Sequence, residues 1–232
     1  MKMNNIANQQ FKYIYFLATL YMSLMTCSAV LGNKLIDTPL GVLSAASLIS
    51  PFWFVLGDII TEVYGLKIIM RLFWSVILCQ FIFAFICLIL INIKSPIFWH
   101  GQSSYDLVLG HLVRIATFQF VGVTIGWNLN ARLLTKWKIL MYGRHFWLRS
   151  IGSSGIGLII FSLVSVFPTI LGMFPIKTVV SMVIWSCALK IIFTAVLAFP
   201  STLAVIFLRN GECIDTESQI FEYNPFKEPQ PI

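Results

Sequence analysis

Long, uncharged and mostly apolar stretches recur along the chain, and short segments that carry charge separate them. Counted between the bounding charges, they cover residues 13–33, 38–57, 72–93, 107–131, 150–176 and 178–208. Single charges interrupt two of them, Arg114 in the fourth and Lys190 in the sixth. An α-helix needs about 20 mostly apolar residues to cross roughly 30 Å of hydrocarbon. The pattern therefore predicts an all-α integral membrane protein with six transmembrane helices in one domain, residues 11–208.

The composition agrees with this class and excludes a soluble domain. Hydrophobic residues make up 58% of the 232 residues and charged residues 11%, and the mean hydropathy is +0.87. Soluble domains carry about 25% charged residues. The five cysteines show neither a disulfide framework nor zinc-ligand spacing.

The basic residues predict the orientation. With both termini in the cytoplasm, eleven lysines and arginines lie inside and three, Lys34, Lys94 and Lys177, lie outside. This is the bias typical of cytoplasmic loops, and it accounts for the net charge of +7 without a nucleic-acid partner. Residues 1–10 are predicted to be a polar N-terminal segment, and residues 209–232 a disordered cytoplasmic tail. The cytoplasmic set is Lys2, Lys12, Lys67, Arg71, Arg132, Lys136, Lys138, Arg144, Arg149, Arg209 and Lys227.

Two acids near the end of the second stretch are unexpected in so apolar a chain. The segment PFWFVLGDIITEVYG, residues 51–65, places Asp58 and Glu62 four residues apart, on one face of a helix. Gly65 is suited to end that helix, so both carboxylates lie near its negative end, where anions are disfavoured. We therefore expect cations or hydrogen-bond donors to compensate them.

Two interpretations of these acids stay open. In the structural one, they pair with Lys67, Arg71 or Lys190 and hold helices together. In the functional one, at least one acid faces a polar cavity and binds a ligand, because ionisable residues inside a membrane commonly mark functional sites.

No other motif indicates catalysis. GSSG, residues 152–155, resembles the motif of intramembrane serine proteases, whose serine needs a base within hydrogen-bond reach. All three histidines, however, lie near loops or span ends, and none follows the serine. Small residues at 152–157 instead favour close helix packing. We find no phosphate-binding loop and no metal-ligand spacing. The chain is therefore predicted not to be an enzyme, with no cofactor and no metal.

Several segments together resemble a known family. GNKLI (residues 32–36), the acidic segment and Arg71 are similar to the signature of the queuosine precursor transporter family, also called the vitamin uptake transporter (VUT) family. That signature has Asn-Lys near the end of the first span, then Phe-Pro and Asp-x-x-x-Glu-x-Tyr-Gly. A weaker similarity to the family continues to residue 215, so the resemblance covers nearly the whole chain. The matching positions are Asn33, Lys34, Phe52, Asp58, Glu62, Tyr64 and Gly65.

The sequence also departs from the family pattern. Where members often carry Gly-Gln-x-x-Asp in the fourth span, residues 126–130 end in Asn130, an amide. Many members also have an acid in the fifth span, where this chain has GIGLII, residues 155–160. These departures leave the ligand and the coupling ion open, and they make Asp58 and Glu62 almost the only acids available for a pocket.

The resemblance implies a multi-pass importer in the cell inner membrane that moves 7-cyano-7-deazaguanine or 7-aminomethyl-7-deazaguanine by alternating access. A carboxylate accepts the two adjacent N–H donors of a guanine-like edge, an aromatic ring stacks on the base, and cations or amides meet its carbonyl. The predicted substrate-binding residues are Asp58, Glu62, Asn33, Phe52, Tyr64, Arg114, Gln119 and Lys190, with Trp53 as a further stacking candidate.

One alternative belongs to a different class. Six-helix S-components of energy-coupling-factor transporters bind a vitamin and depend on a separate ATPase module. They use an Ala-x-x-x-Ala surface on the first span, for which Thr19, Ser23 and Cys27 are the nearest analogue here. An oligomer of this chain and an energy-coupling partner both stay open.

Overall fold

The computed structural model describes residues 11–39, 41–172 and 174–212. Six helical segments are long and apolar enough to cross a membrane, which confirms the predicted fold class. They are Ile14–Asn33, Ala46–Tyr64, Leu66–Ile91, Gln102–Leu140, Phe146–Ile170 and Ile176–Glu212.

Some of these segments contain more than one element. The helices are α1 (Ile14–Val30), α2 (Ala46–Tyr64), α3 (Leu66–Ile91), α4 (Gln102–Leu109), α5 (Leu112–Gly122), α6 (Asn128–Leu140), α7 (Phe146–Phe161), α8 (Phe167–Ile170) and α9 (Ile176–Glu212). A 3₁₀ turn, Leu31–Asn33, follows α1, and π-helical turns occupy Val123–Trp127 and Ser162–Val166. Two strands complete the described elements, β1 (Leu35–Thr38) and β2 (Gly41–Ser44).

The second span lies further along the chain than its charges predict. Strands β1 and β2 pair as an antiparallel hairpin, so the uncharged residues after Asp37 first form a strand and then a helix. Helix α2 continues through both acids and ends at Gly65, whose φ of +86° favours glycine. Asp58 and Glu62 therefore both lie within α2, near its C-terminal end.

Helix α2 is the centre of the bundle. It packs against α1 and α9 most extensively, and also against α3, α6 and α7. In the apolar 18-residue stretch of α2, 78% of the residues are buried inside the protein, against 22% to 44% in the corresponding stretches of the other five spans. A polar side chain on α2 therefore meets protein instead of lipid.

Helices α6 and α7 approach closely where glycines replace larger residues. An ideal Cβ on Gly157 would lie 2.8 Å from Asn130 Cβ and 2.9 Å from the Gly126 carbonyl oxygen. The predicted packing role of residues 152–157 is consistent with this contact, since small residues let backbones approach in lipid.

The two ends of the described chain meet. Helix α9 continues to Glu212, so residues 209–212 are helical and the predicted disordered tail does not begin at Arg209. The Glu212 carboxylate accepts hydrogen bonds from the backbone N–H groups of Lys12 (2.9 Å) and Tyr13 (2.8 Å), which holds this last turn in place. The start of the first span and the end of the last span thus lie on the same side, as six spans require. The predictions for residues 1–10 and 213–232 lie outside the described residues.

We predict that Gly157→Ala destabilises the bundle, because the new methyl group meets backbone that cannot move aside. Overpacking of this kind costs about 1–3 kcal/mol, and each kcal/mol lowers Tm by about 2–4 °C in a chain of this size. Thermal unfolding of purified protein in detergent measures the effect. Gly155→Ala is the matched control on the same helix, since nothing lies within 4 Å of its ideal Cβ. Equal Tm values for the two variants would contradict the prediction.

Candidate functional site

Glu62 lies at the centre of a group of cations. Arg149 donates from Nη1 to Oε2 at 3.0 Å and from Nη2 to Oε1 at 3.1 Å, a two-pronged contact. Arg209 Nη2 also donates to Oε1, at 2.5 Å. Lys138 Nζ lies 3.7 Å from Oε1 and donates to the Glu62 backbone carbonyl at 3.0 Å. We call Glu62, Lys138, Arg149 and Arg209 the ion-pair cluster.

The ion-pair cluster joins four helices, because its members come from α2, α6, α7 and α9. Arg149 is fully buried and Glu62 is 1% exposed. Burying a carboxylate is tolerated only when it is paired and hydrogen-bonded. The cluster therefore provides the compensation expected for Glu62 and closes this end of the bundle.

The sequence-based partners for the acids were wrong. Lys67 and Arg71 are exposed, and Lys190 Nζ donates to Ser162 Oγ at 3.1 Å. The true partners of Glu62 had been placed in cytoplasmic loops. Helices α6, α7 and α9 extend beyond the charges that were taken to bound the spans. Lys138, Arg149 and Arg209 therefore lie on helices and contact Glu62 in the interior.

Asp58 has neutral partners. Asn130 Nδ2 donates to Oδ1 at 2.7 Å, while Ser150 Oγ and Ser154 Oγ donate to Oδ2 at 2.5 and 2.6 Å. We call these four residues the Asp58 cluster; Asp58 is 1% exposed and the others are fully buried. Within the described residues no cation lies at ion-pair distance from Asp58. The two acids on one helix face thus have different surroundings.

An aromatic layer lies on the N-terminal side of Asp58 along α2. The Trp53 ring lies 4.3 Å from Phe54 and 5.5 Å from Phe161, centroid to centroid, and Phe54 lies 5.8 Å from Phe161. All three are buried. On α2 this layer lies between Asp58 and Ser50, on the hairpin side of the Asp58 cluster.

A small polar cavity lies beyond the aromatic layer, at the hairpin end of the bundle. Its volume is about 70 Å³. Lys190 and Gln119 both line it, and the Lys190 ammonium lies 5.3 Å from the centre of the Phe161 ring. Apart from apolar residues, the lining consists of Ser28, Ser44, Ser47, Ser50, Gln119, Ser165, Thr169 and Lys190. The structure therefore brings together two of the eight predicted site residues in one polar pocket.

The remaining predicted site residues lie elsewhere. Arg114 donates to the backbone carbonyls of Pro168 and Leu171 at the end of α8. Asn33 donates to the carbonyl of Val108 at 3.1 Å. Phe52 is 43% exposed on the outside of the bundle, and the Tyr64 hydroxyl donates to Glu212 at 2.8 Å. None of these four lines the cavity.

Sequence reasoning missed the neutral partners of Asp58. Ser150 and Ser154 are four residues apart and share a face of α7, which is the signal that could have found them. The two serines of the GSSG segment both donate to other groups: Ser154 to Asp58, and Ser153 to the backbone carbonyl of Ser150. Across the described ranges, no three His, Cys, Asp or Glu side chains group as metal ligands.

Six apolar helices around a buried, charged and polar interior define a multi-pass membrane protein of the transporter class. A family model described as "Putative vitamin uptake transporter" matches residues 44–205, and the chain belongs to that family. This agrees with the resemblance found in the sequence and with a transport role. Searches of curated proteins and of solved structures return no match.

We predict that Arg149→Gln lowers stability, since it removes the two-pronged contact and leaves Glu62 with Arg209 and Lys138. Breaking a buried pair costs about 3–5 kcal/mol, and the two remaining cations keep the loss near the lower end. Thermal unfolding in detergent should show a clear fall in Tm. Arg144→Gln is the control, because Arg144 is exposed five residues away. A Tm for Arg149→Gln equal to that of the control would rule out a structural role for this pair.

Proposed function

We propose that this transporter imports the queuosine precursors 7-cyano-7-deazaguanine and 7-aminomethyl-7-deazaguanine across the cell inner membrane by alternating access. The observation that carries the proposal is the convergence of Lys190 and Gln119 on one serine-lined cavity beside the Phe161 ring. The family likeness supplies the substrate class.

The cavity has the chemistry that a deazaguanine requires. Lys190 offers N–H donors to a ring carbonyl, and Gln119 offers both a donor and an acceptor. Gln119 makes no side-chain hydrogen bond to any other residue that the structure describes, so its amide is available. Serine hydroxyls can accept from the N–H groups of the base, and Phe161 offers an aromatic face.

The cavity must widen to hold a bicyclic base. Ligand pockets commonly measure about 300–1,000 Å³, against about 70 Å³ here. With the termini in the cytoplasm, the cavity is on the outer side, and the aromatic layer and the ion-pair cluster lie between it and the cytoplasm. This order fits a transporter whose inner side is closed.

The acids act further along the path. Asp58 lies eight residues beyond Ser50 on α2, which is about 12 Å along the axis. Two buried donors next to it, the Tyr21 hydroxyl and the Trp127 indole N–H, have no hydrogen-bond partner within the described residues. We propose that Asp58 accepts the N–H edge of the base after the aromatic layer opens, and that these donors meet its acceptors. Glu62 holds the inner side closed.

We predict that Lys190→Met and Gln119→Leu each weaken binding of 7-cyano-7-deazaguanine at least tenfold, because each removes a hydrogen-bonding group and leaves a polar atom of the bound base unpaired in the cavity. Scintillation proximity binding to purified protein in nanodiscs measures the affinity, and uptake into proteoliposomes measures transport. Lys177→Met is the control, since Lys177 is exposed on the same helix.

Wild-type affinity in both cavity variants would refute the proposed site. Binding of guanine or a vitamin in preference to both deazaguanines would refute the proposed substrate while leaving the site intact.

The binding-subunit alternative has one observation in its favour. Thr19, Ser23 and Cys27 are all exposed on α1, and a shallow groove runs along Ser23, Thr26 and Cys27. The small side chains that were predicted to contact a coupling module are therefore accessible.

Reconstitution of the purified chain alone separates the two functions. We expect proteoliposomes that contain only this chain to take up labelled 7-cyano-7-deazaguanine, since the importer needs no further subunit. Empty liposomes are the control. Saturable binding without uptake would favour a subunit that depends on an ATPase module.

A further inference from the structure

We propose that Asp58 carries the coupling proton: it binds a proton from the outer side and releases it to the cytoplasm in each transport cycle. The link to cargo movement rests on the proposed function. The geometry that points to Asp58 is its placement between the cavity and the ion-pair cluster, in a buried cluster of neutral donors from three helices.

The contrast with Glu62 selects Asp58 for this role. Glu62 is held by three cations, two of them buried, so neutralising it would leave three positive charges without their anion. Asp58 accepts only from an amide and two hydroxyls. Of the two acids, Asp58 is therefore the one whose charge can be removed without breaking an ion pair.

The proton-transfer step is balanced and requires little rearrangement. A hydronium ion or water-borne acid gives up one O–H bond, and a new O–H bond forms on an Asp58 carboxylate oxygen. A serine hydroxyl then turns to accept from it, because hydroxyls both donate and accept. The donors already lie 2.5–2.7 Å from the carboxylate oxygens. A proton fits between them without moving them, whereas a sodium ion would have to separate them.

Protonation of Asp58 changes the balance of charge at the closed inner side. Counted over Asp58 and the ion-pair cluster, the net charge is +1 with Asp58 ionised and +2 with Asp58 neutral. Asp58 lies one turn, about 6 Å, from Glu62 along α2. Loss of its negative charge removes an attraction that offsets the repulsion among the three cations, which favours opening toward the cytoplasm.

Other charged and titratable groups around Asp58 are accounted for. Glu62 is on its own helix, and Tyr21 faces it from α1. Lys138, Arg149 and Arg209, from α6, α7 and α9, contact Glu62 one turn away. On α3, Lys67 and Arg71 are exposed. Lys190 of α9 packs on Phe161, at the far side of the aromatic layer.

Two transport assays test the coupling. With a pH gradient, acidic outside, we expect wild-type proteoliposomes to accumulate 7-cyano-7-deazaguanine, and Asp58→Asn proteoliposomes to accumulate at least tenfold less. Without a gradient, wild-type proteoliposomes should still exchange labelled for unlabelled substrate, because exchange requires no net proton movement. Asp37→Asn is the control, since Asp37 is exposed in the hairpin. Gradient-driven accumulation by Asp58→Asn at the wild-type level, or uptake driven by sodium alone, would overturn the proposal.

Infrared difference spectroscopy tests the proton site without any substrate. Between alkaline and acidic buffer, reconstituted wild type should gain a protonated-carboxyl band that Asp58→Asn lacks. The Ser154→Ala variant keeps Asp58 and should therefore keep the band. Because it lacks one hydrogen bond to the carboxylate, the band should appear at a different pH. Absence of the band in wild type would overturn the proton site even if Asp58→Asn fails to fold. Absence of substrate exchange in wild type, with the band present, would instead refute the proposed cargo.

Discussion

The burial of two carboxylates on one central helix is the constraint on which the bundle depends. A charge inside a membrane is costly unless protein groups replace its water, and α2 is the most enclosed of the six spans. Helices α6, α7 and α9 meet α2 at Glu62, where their cations surround its carboxylate. The same contact that satisfies the acid also fixes how four helices are arranged at one end.

The interior is ordered along α2 by chemical type. A polar cavity with Lys190 lies near the hairpin, the aromatic layer follows, and the Asp58 and ion-pair clusters come last. Such an order gives a polar solute one place to bind and two successive barriers to cross. Under the proposed function, the first barrier is apolar contact and the second is ion pairing, so they respond to different influences.

The membrane spans were predictable because hydrophobicity over some 20 residues is a strong signal. The partners of Glu62 were not, since Arg149 and Arg209 were read as the charges that end a span, while the helices continue through them. The hairpin was missed because its residues after Asp37 carry no charge. Lys190 and Gln119 stood out as polar residues within apolar runs, whereas serines are too common in such helices to be noticed singly.

The meeting of the chain ends at Glu212 has a mechanical consequence. Its carboxylate ties the start of α1 and, through the Tyr64 hydroxyl, the end of α2 to the end of α9. These three helices are thereby fastened into one body at this end. Arg209 belongs to that body together with Glu62, whereas Lys138 and Arg149 belong to the helices opposite. The boundary along which two halves of the bundle can part therefore runs through the ion-pair cluster, between one acid and two of its three cations.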